Sequence, residues 1–432
     1  MQNMEQTAAL AHQAALRLAA SSAQERDRAL GAVSEELLKR KERIFAANRE
    51  DMNRGRREGL SEPLMKRLAF DQNKMEDTLS GIASLRTLPD PVGRTTLSTE
   101  LSPGLNLYRV TCPIGTIGVI FESRPDALVQ IAALCLKSGN AVLLKGGSEA
   151  RETNRALFTA IEAGTASSGM PEGWAGLMES RADVAEMLKM DRYIDLIIPR
   201  GTNEFVRYII EHSRIPVMGH ADGICHTYVD AAADIDMAIR VAVDGKAQYA
   251  AVCNATETLL CHRNIAEAFL PRLKAAMDSA GVRLLGCPRT TRIIPVEDAT
   301  DEDWDTEYLD YVLSVRVVDS LADAISHVNS HGSGHTDAIV TEDTEAAARF
   351  LREVDSAGVF HNCSTRFADG FRYGFGAEVG IATGKLHARG PVGLEGLLSY
   401  KYKLLGSGQI VADFASDSMS FTHRALHEEC PM

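Results

Sequence analysis

The sequence predicts an α/β protein in which two doubly wound parallel α/β domains face a cleft and a small β flap serves oligomerisation. Three patterns point there. Short β-rich runs alternate with helical segments from about residue 112, and a second such series begins at HTYVD, residues 226–230. An extended hairpin around Ser102-Pro103-Gly104 has a candidate partner strand in the late run LLSYKYKLLGSGQIV. The implied division is residues 1–93 and 112–226 for N-terminal helices and a first α/β domain, 227–385 for a second, and 94–111 with 386–432 for the flap.

Taken in order, the stretch to about residue 88 is rich in Ala, Leu and charge with helical periodicity (LAHQAALRLAA, ALGAVSEELLKRKERIFAANRED) and predicts three helices. TTLSTELSPGLNLYRV alternates in period two about a Pro-Gly turn and predicts the hairpin. IGTIGVIFE, AVLLK and IDLIIP are candidate buried strands, separated by helical DALVQIAALCLKSG and EARETNRALFTAIEAGTASSG and followed by a helix from Asn203. The second series runs through HTYVD, an Ala/Val-rich helix, TETLLCH, another helix, LSVRVV, DAIVT and AGVFH. In such sheets ligands are expected at the C-terminal ends of the strands.

Composition excludes several classes. A chain of 432 residues, 45% hydrophobic and 24% charged, has globular proportions and length for two or three domains. No apolar run approaches the roughly 18 to 20 residues of a membrane span, and MQNMEQTAALAHQ lacks the form of a leader, so a cytoplasmic protein is expected. A net charge of −13 opposes non-specific binding to nucleic acid or anionic membrane. The eight cysteines include no CxxC pair, which argues against a disulfide or zinc framework. Cys112, Cys135, Cys261, Cys287, Cys363 and Cys430 read as small buried hydrophobes or tolerated surface residues.

Cys253 is different because of where it falls. In YAAVCNATETLL an amphipathic helix gives way to a β-rich run, which places a thiol beside a cleft with backbone amides after it to face an oxyanion. Taken alone, a packed cysteine fits the same pattern.

The ordered motifs CPIGTIGVIFESRPD, NAVLLKGGSEA, IIPRGTNEF, MGHADGICHTYVD, YAAVCNATETLL and HVNSHGSGHTDAIVTED, then NCSTRFADGFRYGFGAEVGIATGKLHARGPVGLEGLLSYKY, resemble the aldehyde dehydrogenase superfamily, and within it the reductases of γ-glutamyl phosphate. The resemblance covers nearly the whole chain. It implies an aldehyde dehydrogenase-like fold whose first domain binds NADPH, with Cys253 as the nucleophile. Ser123 falls where an oxyanion-binding asparagine is usual, with the amide of Cys253 or Asn254 as second donor. Lys145, Ser148 and Glu149 match the site for the adenosine ribose or its 2′-phosphate, although one residue more separates the lysine from the glutamate than is usual; a solvated lysine and a helix cap are the alternative. Gly201, Thr202 and Glu204 match a helix-opening loop beneath the cofactor, where an ordinary N-cap is the plainer reading. Glu307 matches the residue that binds the nicotinamide ribose, or is one member of an acidic loop.

His220 aligns with the glutamate that activates deacylating water in aldehyde oxidation. A reductase has no use for that base, since hydride resolves its thioester. The alternative is a loop residue without a role. Arg124, Asn362, Ser364, Thr365 and Arg366 are candidates for binding an anionic amino-acid phosphate. For Lys385, His387 and Arg389, structural and substrate roles stay open. His331 and His335 have metal-like spacing, but the glycines between them disfavour a helix and no metal site is expected. GFGAEVG lacks the strand-turn-helix order of a dinucleotide fingerprint and reads as an active-site or packing loop.

The resemblance therefore implies NADPH-dependent reduction of L-glutamyl 5-phosphate to glutamate 5-semialdehyde and phosphate through a cysteine thioester, in proline biosynthesis. The alternatives are an acylating aldehyde dehydrogenase with another acyl phosphate or a CoA thioester, a cysteine acyltransferase without nicotinamide, and a scaffold that kept only the fold. A homo-oligomer is expected, as is transient contact with a separate glutamate 5-kinase.

Overall fold

The computed structural model describes residues 4–122, 124–386, 388–416 and 418–431, with side chains except at 63 and 181. Five N-terminal helices replace the three expected: Met4–Leu18, Ala23–Lys39, Lys41–Arg57, Glu62–Leu68 and Gln72–Thr87. The breaks are made by local chemistry that periodicity does not reveal. Ser22 and Glu25 form a capping box, Ser61 precedes a helix with proline in its first turn, and the Asp71 side chain accepts the Lys74 amide. The apolar stripe continues across the breaks because successive helices turn buried faces such as Leu30, Ile44 and Met75 to one core.

That core backs a parallel sheet in the order Ala175–Met178, Ala141–Lys145, Thr116–Phe121, Leu196–Arg200, extended by a parallel bridge from Ile197 to Val217. Its two central strands are buried throughout, as their unbroken apolar runs require. Winding reverses beside Thr116–Phe121, the switch point at whose C-terminal strand ends the topology predicts a ligand crevice.

The second sheet has seven parallel strands: Glu297–Asp298, Arg283–Gly286, Val312–Val318, Thr256–His262, Cys225–Val229, Thr336–Val340, Gly358–His361. Here the strand-end expectation fails. Cys253 precedes Thr256–His262, His220 precedes Cys225–Val229 and His335 precedes Thr336–Val340, so all three lie toward the N-terminal edge. Register agrees, since Cys225 pairs with Thr256.

The flap is a four-stranded antiparallel sheet, Leu398–Leu405, Leu105–Pro113, Thr95–Ser102, Arg424–Leu426. The late run does pair with the hairpin, Tyr402 opposite Arg109, and the second hairpin strand continues to Pro113. Among the described residues no helix is long and apolar enough to cross a membrane.

Candidate active site

Cys253 is half-buried in the loop between the helix Ile235–Ala247 and the strand Thr256–His262. A Cβ on Gly223 would stand 2.2 Å from the Cys253 carbonyl oxygen, so only glycine lets the 220–225 segment lie against the thiol loop. Cys225 Sγ donates to the same oxygen at 3.2 Å. On the other side Asn254 Nδ2 donates to the Ala368 carbonyl and Thr365 Oγ1 donates to the Asn254 carbonyl, each at 2.8 Å. The hydroxyls of Thr365, Thr256 and Thr227 continue this chain at 3.2 and 3.0 Å. The loop is thus held by buried polar contacts on both flanks.

Burial pushes the Cys253 thiol up to about 12, with the Glu307 and Glu378 carboxylates adding to the rise and the Arg200 guanidinium opposing it. The resting sulfur is therefore protonated. Arg200 ends its strand; burial and Arg124 lower its own pKa. Arg366 is buried, which lowers its pKa, and a Cys253 thiolate would oppose that fall; its Nε donates to Gln248 Oε1 at 3.0 Å. Glu378, inside GFGAEVG, accepts the Gly370 amide at 3.0 Å, and burial raises its carboxyl.

Two imidazoles complete the site. His220 Nδ1 lies 3.0 Å from the Ile381 carbonyl, an acceptor that fixes the proton on Nδ1 and leaves the Nε2 lone pair free. Burial lowers its pKa. The buried ring of His335 stands edge-on to it at 5.1 Å, and burial holds His335 down to about 3. A ligating atom from each of His220, Cys253 and His335 lies within 4.8 Å of the others. His331, four residues before His335, instead pairs with Asp305 at 2.8 Å.

The remaining candidates divide by location. Lys145 is buried at its strand end, Nζ donating to the Gly146 carbonyl at 2.6 Å. Ser148 and Glu149 form a short turn whose carbonyls accept from Arg54 Nη2 at 3.3 and 2.9 Å. Gly201 and Thr202 are exposed at the helix start Asn203–His212, and a Cβ on Gly201 would come within 3.1 Å of the Glu122 carboxyl. Glu204 is exposed on the helix; its neighbour Asn203 donates through Nδ2 to Glu307 and, at 3.1 Å, to Asp222. Arg124 is exposed at the start of the helix Pro125–Lys137, acting on Arg200 and Glu378.

Other candidates are committed to structure. Asn362, at φ 56°, accepts the Thr341 amide and donates to the Thr341 carbonyl. Ser364 Oγ accepts the Arg366 amide. Lys385 and Arg389 pair with Asp355. Ser123 and His387 lie outside the described residues.

Sequence reasoning missed Arg200, Asn203, Gly223 and Glu378. Arg200 carried a usable signal, as the polar end of an otherwise apolar strand at a C-terminal edge. It also missed Lys246 and Glu257, a fully buried ion pair 11 residues apart. Glu257 Oε1 accepts the Leu309 amide at 3.4 Å, and Lys246 lies 5.8 Å from the Tyr308 ring centre, so this pair supports the segment bearing Glu307.

A model of the aldehyde dehydrogenase family matches residues 1–311 and 293–379. A gamma-glutamyl phosphate reductase of Acetivibrio thermocellus is 63% identical over 97% of this chain and 97% of its own length. One of Pelotomaculum thermopropionicum is 61% identical over 99% of this chain and 98% of its own. The chain belongs to the gamma-glutamyl phosphate reductases of the aldehyde dehydrogenase family. The crystal structure of the Thermotoga maritima gamma-glutamyl phosphate reductase superposes with a TM-score of 0.93 at 38% identity, covering 95% of this chain and 100% of that one. As a gamma-glutamyl phosphate reductase the chain is an oxidoreductase, with the aldehyde dehydrogenase-like fold expected from its sequence.

Proposed function

We propose that this chain reduces L-glutamyl 5-phosphate to L-glutamate 5-semialdehyde and phosphate, with NADPH as reductant and Cys253 as nucleophile, in proline biosynthesis. The observation that carries it is the half-buried Cys253 thiol beside His220 and His335 with Arg200 and Arg366 acting on it. Each group has a role. The sulfur attacks the acyl carbon as its proton passes to the free Nε2 of His220, and a backbone amide of the 253–254 segment faces the oxyanion. Phosphate departs toward guanidinium groups, for which Arg200, Arg366 and Arg124 are the candidates. When bound, NADPH supplies the hydride that takes the thioester to the aldehyde level. His220 returns the proton as the sulfur leaves. While the thioester stands His220 holds that proton and cannot serve as the base that activates water in aldehyde oxidation, so the thioester is kept for reduction.

The crevice fits a dinucleotide phosphate. Gly201 permits close backbone approach, Thr202 makes no side-chain cap to the first helical turn, and Lys145 supplies a cation near Ser148 and Glu149. Glu307, which accepts from Asn203, is the candidate for the nicotinamide ribose, and that contact supports the reading. Exposed Tyr400, Tyr402 and Leu404 on the flap support its use as a subunit contact.

The test is Cys253→Ala. Turnover, followed as phosphate-dependent oxidation of glutamate semialdehyde, should fall below detection while NADPH still raises the melting temperature. Retained activity rejects the mechanism, and a preference for CoA over phosphate would favour another acylating dehydrogenase.

A further inference from the structure

His335 carries the clearest unanswered chemistry in the molecule. Its side chain is 1% exposed, Nδ1 lies 2.9 Å from Thr336 Oγ1, and Nε2 has no hydrogen-bond partner among the described residues. A buried nitrogen without a partner costs about 1 to 3 kcal/mol, so its retention calls for a reason. The reductase steps use His220 and leave His335 without a task.

We propose that His220, Cys253 and His335 form a binding site for one borderline-soft divalent metal ion, of the zinc class, that reversibly masks the thiol. The donor set is two imidazole nitrogens and one sulfur, the ligand types zinc takes, with a fourth position for water. Their ligating atoms already lie within 4.8 Å of one another. Zinc-nitrogen distances of about 2.0 Å and zinc-sulfur distances of about 2.3 Å set the span that an ion between them would bridge. The orientation is supported behind the ligands, since His220 is oriented by the Ile381 carbonyl and His335 by the Thr336 hydroxyl. Binding exchanges the thiol proton for the metal, and no oxidation occurs. Glu307 and Glu378 act on Cys253 and offset the positive charge that the ion brings into a buried site.

The three ligands come from three segments, at 220, 253 and 335, which is why spacing did not reveal the site. The HGSGH pair is split, with His331 on Asp305 and His335 beside the thiol. Coordination is independent of the reductase reading. The predicted inhibition rests on that reading, because it requires Cys253 to be the nucleophile.

Cobalt(II) titrated into the reduced full-length protein, without nicotinamide, tests coordination. One equivalent should bind with a near-ultraviolet sulfur-to-cobalt charge-transfer band and tetrahedral visible bands, and zinc should displace it. Cys253→Ser should remove the sulfur band. His335→Asn and His220→Asn should each weaken binding by more than the about 10- to 100-fold typical of losing an outer-layer contact. Circular dichroism checks folding, and should His335→Asn not fold, His220→Asn and Cys253→Ser carry the test. Absence of the band, or wild-type affinity in the folded variants, overturns the site. The second arm measures zinc inhibition and alkylation of Cys253. Inhibition reversed by chelator, with zinc shielding the thiol, supports masking; bound zinc that leaves alkylation unchanged overturns masking.

Discussion

The two sheets present opposite edges to the chemistry. At the first, candidate groups gather where strands end: Lys145, Arg200, Glu122, Arg124 and the 201–203 turn. At the second, Cys253, His220 and His335 gather where strands begin. The first edge offers exposed backbone at Gly201 and Thr202, suited to a ligand that brings its own charge. The second is dense with buried polar contacts, among them Asn254, Thr256, Thr365 and the Lys246–Glu257 pair. Under the proposed reading, one side would admit a mobile dinucleotide and the other would hold a sulfur in a fixed place.

That contrast predicts where substitutions hurt most. Burial pushes the Glu257 carboxyl up to about 7 and Lys246 down, yet the two charges compensate each other in contact. Lys246→Met should destabilise the chain by about 3 to 5 kcal/mol by leaving an unpaired buried carboxyl. A shift in the urea midpoint measures it. Lys246→Met with Glu257→Leu should recover much of the loss, and if the single variant costs no more than a surface change, the density attributed to this edge is wrong.

Acid should separate the two regions next. His327, on the helix Leu321–His331 of the second unit, is held near 2 by burial and by His226, His331 and Arg316, against about 6.5 when unfolded. The unfolded chain therefore takes up this proton first, so stability is full above pH 6.5 and falls as pH drops toward 2. The slope approaches about 1.4 kcal/mol per pH unit for one such group. His327→Gln should flatten it, measured by chemical unfolding at stepped pH.

Much of this contrast was legible in the sequence, and the rest was hidden for identifiable reasons. Alternating apolar runs and helices exposed both parallel sheets, and the Ser-Pro-Gly hairpin with its late partner exposed the flap. Helix ends set by single side chains, Ser22 and Asp71, were lost in a continuous stripe. Cys253, Arg366 and Glu307 could be named from motifs, whereas the company they keep could not. Asn203, Gly223 and His335 come from segments distant in sequence, and what they contribute depends on a side-chain contact, a backbone approach or an unpaired nitrogen that only the folded chain displays. The rule that ligands sit at C-terminal strand ends described the candidate cofactor edge and misled at the thiol.

Matched glycine substitutions sharpen the contrast. Gly223→Ala drives a Cβ to 2.2 Å from backbone, whereas Gly201→Ala meets its nearest atoms at 3.0 Å, the Phe205 ring, and 3.1 Å, the Glu122 carboxyl. The first should cost about 1 to 3 kcal/mol by overpacking and displace the thiol loop, lowering kcat. Because the Phe205 and Glu122 side chains can give way, the second should leave stability nearly unchanged and raise KM for NADPH. Equal melting temperatures for the two variants would remove the distinction between a braced edge and an open one.

The smallest effect concerns the bridge between the edges. Asn203 opens the helix at the first sheet and donates to Glu307, on the second. If the two edges act as one site through this contact, Asn203→Ala should weaken NADPH binding by about 1 kcal/mol, roughly fivefold, below the about 1.5 to 3 kcal/mol of a hydrogen bond to a charged group because Glu307 is only half-buried. Titration calorimetry should show that loss while the unfolding midpoint and the alkylation rate of Cys253 stay unchanged. A parallel fall in thiol reactivity would mean instead that Glu307 acts chiefly on the sulfur, placing it with the braced edge and leaving the cofactor to Lys145 and the Gly201 turn.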